Sequence, residues 1–380
     1  MEDIATFVYG YTTSAKDTGN ARFLRITDID GKGYLKNNNA KFVQLTKENK
    51  RYLLKKGDIL VARTGATFGK TVLFQSDEPT IYASFLIKII LNKKKILPEY
   101  YFHFAQSDRY WVQAKKIVTG GGQPQFNANV IKNIKITIPP LSEQKAIASL
   151  LSVWDEAIEK TERLIEVKEK RFNAIVQKLI NINCNNWKHI KVKELFQSYT
   201  SKNHPNGELL SVTQDRGVIP RSHLEGRVMS PAGTTSGYKL VEPGDFVISL
   251  RSFQGGIEYS NFKGIVSPAY TVLKNKLPIN SEYYRHFFKS YIFIKKYLRI
   301  AIIGIRDGKQ VSFPDFETVK IPYPSIKEQE RIANALNIIQ KEIDLLKQLL
   351  EKSKTQKRGL MQKLLTGKWR VKIEKENKNE

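Results

Sequence analysis

At 380 residues the chain exceeds what one ordinary hydrophobic core organises, and two domains are the natural expectation. With 41% hydrophobic and 26% charged residues it has the composition of a folded protein and not of a disordered polycation. Sixty-three Lys and Arg against 37 Asp and Glu leave +26, which points to a polyanionic partner with nucleic acid first, and the single cysteine, Cys184, excludes a disulfide framework or a Cys-rich zinc site.

The opening MEDIATFVYG has no basic segment followed by a long apolar run, so no secretory signal is expected. The apolar stretch Ile81 to Leu91 is broken by Lys88 and is too short to span a membrane. A reducing cytoplasm is the expected setting. In the first third, β-branched and aromatic runs punctuated by Gly, Pro and Asn, such as Asp58 to Arg63 and Thr80 to Leu91, read as strands between turns. Glu99-Tyr-Tyr-x-His-Phe104, after Pro98, reads as a short helix.

A long helix follows. A 4,3 spacing selects Ile147, Leu151, Trp154, Ile158, Thr161, Ile165, Lys168, Phe172, Ile175 and Leu179, a seam of more than four heptads. The pattern then restarts. Asp245 to Arg251 and Ile265 to Lys274 read as strands, Glu282-Tyr-Tyr-x-His-Phe287 repeats the short helix, and Ile332, Leu336, Ile339, Ile343, Leu346, Leu350, Ser353, Lys357, Leu360 and Leu364 repeat the seam at an offset of 185. Pro243-Gly-Asp-Phe-Val-Ile248 likewise answers Lys56-Gly-Asp-Ile-Leu-Val61. The chain is two copies of a unit of about 185 residues, each an α+β domain followed by a helix.

The simplest partner for one seam is the other, with homodimerisation through either helix as the alternative, and periodicity leaves parallel and antiparallel pairing open. Thr161, Lys168, Ser353 and Lys357 are polar positions that fix register, and Ser142 and Ser325 are N-cap or N′ candidates. Trp369-Arg-Val-Lys-Ile373 echoes Trp187-Lys-His-Ile-Lys-Val192, which precedes the second copy, so the tail is expected to supply an edge strand missing from the first.

Pro139-Pro-Leu-Ser-Glu143-Gln144-Lys-Ala-Ile-Ala148 and Pro324-Ser-Ile-Lys-Glu328-Gln329-Glu-Arg-Ile-Ala333, with the two Gly-Asp strands, carry a family resemblance. In these motifs, and over nearly all of its length, the chain resembles the specificity (S) subunit of type I restriction–modification systems. The resemblance implies an α+β fold with two target-recognition domains, residues 1–141 and 183–325. They would be separated by spacer helices, residues 142–182 and 326–366, packed as an antiparallel coiled coil, with a tail, 367–380, completing the first domain. It further implies a non-catalytic reader of a bipartite, asymmetric target in double-stranded DNA. Its partners would be two methyltransferase (modification) subunits that use S-adenosylmethionine, joined in some systems by restriction subunits that use ATP and Mg²⁺; the chain itself would hold no cofactor. A spacer helix of about 39 residues spans ~58 Å, more than one ~34 Å turn of duplex, so such rods can set a half-site spacing.

Gly65-Ala-Thr-Phe-Gly69-Lys70-Thr71 approaches a phosphate-binding P-loop but is one residue short between its glycines and continues into a β-rich run. A turn that sets Arg63, Thr64, Thr67 and Lys70 against a DNA backbone is the better reading. The glycine-rich Thr119 to Asn127 segment offers Gln123, Gln125 and Asn127, whose amides suit adenine, and its counterpart in the second copy offers Arg306, Lys309 and Gln310. Lys36, Asn37, Arg216, Arg221, Arg227, Arg251 and Gln254 complete the candidate DNA contacts. Glu143, Gln144, Glu328 and Gln329, at the helix starts, are the candidate contacts for partner subunits. Asp315, Glu317 and Lys320 have no spacing suited to a metal-dependent nuclease, and none of the five histidines has ligand spacing. A nuclease acting alone and a coiled-coil nucleic-acid adaptor remain as the rival readings.

Overall fold

A computed structural model describes residues 1–31, 33–36, 38–118, 126–184, 186–224, 235–304 and 309–372. The chain divides into two compact units, Met1–Glu162 with Gln348–Glu380, and Arg163–Lys347. Each long helix therefore contributes one segment to each unit.

In the first unit a four-stranded antiparallel sheet has the order Ala5–Tyr9, Leu86–Leu91, Ile59–Ala62, Thr71–Leu73. Ile59-Leu60-Val61-Ala62 is buried throughout because both faces of the sheet are covered. Ile59 and Val61 meet Tyr100, Tyr101, Phe104 and Tyr110, while Leu60 and Ala62 meet Leu24, Val72, Phe74 and Tyr82. Covering the second face requires a further sheet, Phe42–Val43, Ala21–Leu24 and Thr80–Tyr82.

The second unit repeats the plan with the order Glu258–Tyr259, Phe246–Ile248, Thr271–Asn275, Phe196–Tyr199. Its aromatic helix Ser281–Lys289 buries Tyr283, Tyr284, Phe287 and Phe288. Here a ladder joins Lys188–Lys191 to Lys320–Tyr323. In the first unit neither 135–138 nor 369–372 forms a strand. The tail is instead fastened by side chains: the Arg370 guanidinium donates to Glu143 Oε1 at 2.8 Å and Oε2 at 2.6 Å, the Val371 amide donates to Glu143 Oε1 at 3.2 Å, and Val371 packs on the first core.

The repeated Gly-Asp signal is a turn. Gly57 and Gly244 take the left-handed region, at φ +86° and +97°, where a side chain is strained. Asp58 Oδ2 accepts from the Lys55 amide at 2.9 Å and Asp245 Oδ2 from the Glu242 amide at 2.8 Å, closing the same loop ahead of the same strand.

The long helices run Leu141–Cys184 and Ile326–Leu364. Ser325 caps the second, accepting from the Glu328 amide at 3.3 Å. Ser142 does not cap the first: it lies inside the opening turn, where the Gln144 amide donates to Pro140 O at 2.9 Å. Within each unit the helical segments pair antiparallel. In the first, Lys357 pairs with Asp155 and Lys354 lies 3.4 Å from Glu162, with Ile147, Leu151, Met361 and Leu364 buried in the same core. In the second, Lys168 meets Glu342 at 2.7 Å, and Val176 and Ile180 share a core with Ile332 and Leu336. The repeated histidines fasten each aromatic helix to its rod: His103 Nε2 lies 3.2 Å from Ser152 Oγ, and His286 Nε2 2.7 Å from Asn337 Oδ1, 185 positions on.

Candidate nucleic-acid interface

In the first unit the candidate loop, residues 63–70, connects the antiparallel strands Ile59–Ala62 and Thr71–Leu73. A strand on both sides removes the helix N-terminus that a phosphate-binding loop uses. Gly65 and Gly69 have φ of +72° and +75°, and a Cβ on Gly69 would sit 3.2 Å from the Trp111 ring. Three contacts fix Arg63: its amide donates to Phe85 O at 2.9 Å, its carbonyl accepts from the Phe126 amide at 2.8 Å, and its guanidinium lies 5.3 Å from the Tyr9 ring centroid. Thr67 Oγ1 donates to Thr64 O at 3.4 Å, which tightens the turn. Lys70 lines a shallow concavity with Gly31, Gly33, Gln106 and Trp111.

Asn127 has a local duty that the sequence reading missed. Its side-chain oxygen accepts from the Val130 amide at 3.1 Å and caps the helix Ala128–Lys132, so only its amide group is left for an adenine. Lys36 is exposed and belongs to a different cluster, with its Nζ 3.5 Å from Thr27 O. Asn37, Gln123 and Gln125 lie outside the described residues.

In the second unit Arg216 occupies the turn between Leu210–Thr213 and Gly217–Pro220, its Nη1 donating to His223 O at 3.2 Å, and Arg221 opens the following short turn. Arg251 and Gln254 are exposed at the short helix Ser252–Gly255. The Arg251 carbonyl accepts from Gln214 Nε2 at 3.3 Å, which joins these two loops. Lys289 braces them: its Nζ donates to Gln214 O at 3.0 Å and Gly255 O at 2.9 Å and pairs with Glu258, whose buried carboxyl is pushed up by desolvation. Lys309 and Gln310 are exposed beside the Ile302–Ile303 strand, Gln310 pairing with Ile303. Arg227 and Arg306 lie outside the described residues.

Tyr9, Phe85, Leu250 and Lys289 belong to these clusters and were not singled out in the sequence. They join these clusters through neighbours distant in the chain, which leave no local pattern.

The assignment of Glu143, Gln144 and Gln329 to partner contact requires correction. Gln144 is fully buried: its Oε1 accepts from the Leu97 amide at 2.8 Å, and its Nε2 donates to Lys95 O at 2.9 Å and Pro139 O at 2.8 Å. Gln329, also fully buried, accepts from the Asn280 amide at 2.8 Å and donates to Pro324 O at 2.9 Å. Glu143 is buried beneath Arg370, whose guanidinium holds its carboxyl below the usual carboxylate range. Glu328 pairs with Arg331 at 2.7 Å. The glutamine recurs because each unit needs it internally, whereas Glu328, partly exposed, engages Arg331 one turn on.

Among the described residues no group of three or more His, Cys, Asp or Glu is placed to hold a metal ion, and no helix is long and apolar enough to cross a membrane.

Two segments of the chain, residues 1–169 and 185–354, match the family described as type I restriction modification DNA specificity domain. The type I restriction enzyme MjaVIII specificity subunit of Methanocaldococcus jannaschii is 28% identical over 362 residues, 88% of this chain and 83% of that one. The type I restriction–modification system S subunit from M. genitalium aligns in structure with a TM-score of 0.59 at 16% identity, covering 96% of this chain and 94% of that one. A chain from a structure of type I R-M complex assembly and conformational transition aligns with a TM-score of 0.56 at 18% identity, covering 95% and 97%. The two structural likenesses carry the fold, and the two family matches, one on each α+β copy with its helix, carry the kinship. The chain belongs to the type I restriction–modification DNA specificity family, with a specificity domain in each half.

Proposed function

We propose that each unit reads one half of a split, asymmetric DNA target and that the chain performs no chemistry of its own. The observation that carries this reading is one platform presenting different side chains. Beyond the strand that follows the Gly-Asp turn, equivalent positions carry Arg63-Thr64 in the first copy and Leu250-Arg251 in the second. Equivalent loops with unequal donors select unequal bases, so the two half-sites differ.

Methylation is then the work of two modification subunits carrying S-adenosylmethionine, with restriction subunits using ATP and Mg²⁺ as further partners. The cytoplasm is the setting of such a complex. The surface offered to the modification subunits is apolar. Leu150, Val153, Leu164 and Val167 are exposed at heptad intervals along the central helix, as are Ile338, Leu345 and Leu349 on the C-terminal helix. These side chains lie off the paired seam and replace the Glu-Gln pairs as the docking face.

Random duplex DNA offered to the chain, with and without a co-expressed methyltransferase subunit, tests this. Enrichment of one interrupted, non-palindromic motif and adenine methylation within it are expected. Mg²⁺-dependent cutting by the chain alone would favour a nuclease, and retention without sequence preference would favour a charge-driven adaptor.

A further inference from the structure

In the first unit one large apolar side chain stands out of the candidate interface among the described residues. Phe85 is 54% exposed although both chain neighbours along its turn are anchored. The Ser84 amide donates to Tyr11 O at 3.0 Å, the Leu86 amide to Ala83 O at 2.8 Å, and the Phe85 carbonyl accepts from the Arg63 amide at 2.9 Å. The backbone on each side is held, so the ring stands on a rigid mount whose carbonyl also fixes the Arg63 backbone. A lone exposed phenylalanine is ordinary on a protein surface. This one is not isolated in kind. In the second unit Leu250, five residues after the Gly-Asp turn as Arg63 is in the first, is also 54% exposed and adjoins Arg251. Each unit thus carries one exposed apolar side chain tied to an arginine of the candidate interface, Phe85 through the bond from the Arg63 amide and Leu250 as the chain neighbour of Arg251, although the two stand on different loops.

We propose that Phe85 selects a thymine in the half-site read by the first unit, by apolar contact with its 5-methyl group in the major groove. The inference rests on the reading of each unit as a half-site reader. The chemistry follows from what the groove displays: the thymine methyl is the one apolar group on any base edge there, and aromatic or aliphatic side chains are its partners. Arg63, whose backbone the Phe85 carbonyl holds, supplies the attraction to the duplex that an apolar group lacks.

The test uses the full chain, alone and with a co-expressed methyltransferase subunit. The motif is first selected from random duplexes, then each thymine in it is replaced by uracil, which removes only the methyl. For the unsubstituted protein, one uracil in one half-site is expected to weaken binding about four-fold, the factor supplied by burying one methyl-sized group. That penalty should vanish in Phe85→Ala and persist in Phe85→Leu, while the other half-site responds identically in all three proteins. Because Phe85 is exposed, both variants should melt with the parent, which separates readout from folding. Equal uracil penalties in parent and Phe85→Ala, or half-sites lacking thymine, overturn the proposal. Failure to select any motif overturns instead the reading on which it rests.

Discussion

Gln144 and Gln329, 185 positions apart, make matching hydrogen bonds: each accepts the backbone N–H that precedes its unit's aromatic helix and donates to the proline carbonyl five residues before it. Each side chain is therefore a buried clip that fixes a long helix to the loop entering the short one.

Replacing Gln144 by Ala strands the Leu97 N–H and the Lys95 carbonyl in an apolar setting, and each buried polar group left unpaired costs about 1–3 kcal/mol. Gln144→Ala should lower the stability of the first unit by about 2–4 kcal/mol, with Gln329→Ala doing the same in the second. Urea unfolding of the full chain measures it. Unchanged stability with weakened partner binding would restore the docking role that the sequence suggested.

The contrast shows which features a sequence can carry. The duplication, the strand runs and the heptad seam were legible because periodic burial leaves a periodic pattern, and because Gly57 and Gly244 are needed wherever that turn occurs. Antiparallel pairing came from the family resemblance, since a heptad seam is the same in either direction. The function of Gln144 was not legible: a polar residue beside Glu143 at a helix start looks exposed until the loop at Leu97 is seen to fold over it. Asn127 misled similarly, because an amide suited to adenine equally suits a helix cap. The helix Asp108–Val118 that follows the aromatic helix was also missed, since its described buried side chains are only Tyr110 and Ala114, too few to show as a periodic run.

Acid should loosen the first unit through His103. Desolvation lowers its pKa to about 4 from an ordinary 6.5, with Lys357 acting in the same direction and Asp155 opposing. A base whose folded pKa is depressed is protonated first in the unfolded chain, so stability is complete above pH 6.5 and is lost as pH falls towards 4. The contribution at stake is about 3 kcal/mol. His103→Gln, which can still bond to Ser152, should flatten the fall in the urea midpoint between pH 7 and 4.5. An unchanged slope would place the titration elsewhere.

Lys357 is buried in the helical seam against Asp155, which also lies 3.7 Å from His103 Nδ1. Removing one member of such a pair leaves the other charge uncompensated, so Asp155→Ala should cost about 3–5 kcal/mol. Asp155→Leu combined with Lys357→Met should return to within about 1 kcal/mol of the parent, because no charge then stays buried. A double-mutant cycle by denaturant unfolding reads the coupling. Additive losses would mean that the pair is solvated and does not set the register.

Arg63 and Lys70 bracket one loop yet should fail differently on DNA. Arg63 is bound at both its amide and its carbonyl and lies against Tyr9, so its side chain would meet a duplex with little freedom left to lose. Such preorganisation suits a base edge, and Arg63→Ala should reduce the ratio of specific to non-specific affinity by about 10- to 100-fold. Lys70, lining an open concavity on a flexible stem, suits a phosphate. Lys70→Ala should weaken binding to every sequence alike and reduce the slope of log affinity against log salt by about one. Titrations of the selected motif and a scrambled duplex between 50 and 200 mM salt, roughly the range over which counterion release is steep, separate the two. If both variants lose only the salt-dependent component, the loop grips the backbone without reading bases, and sequence discrimination in the first unit must come from other side chains.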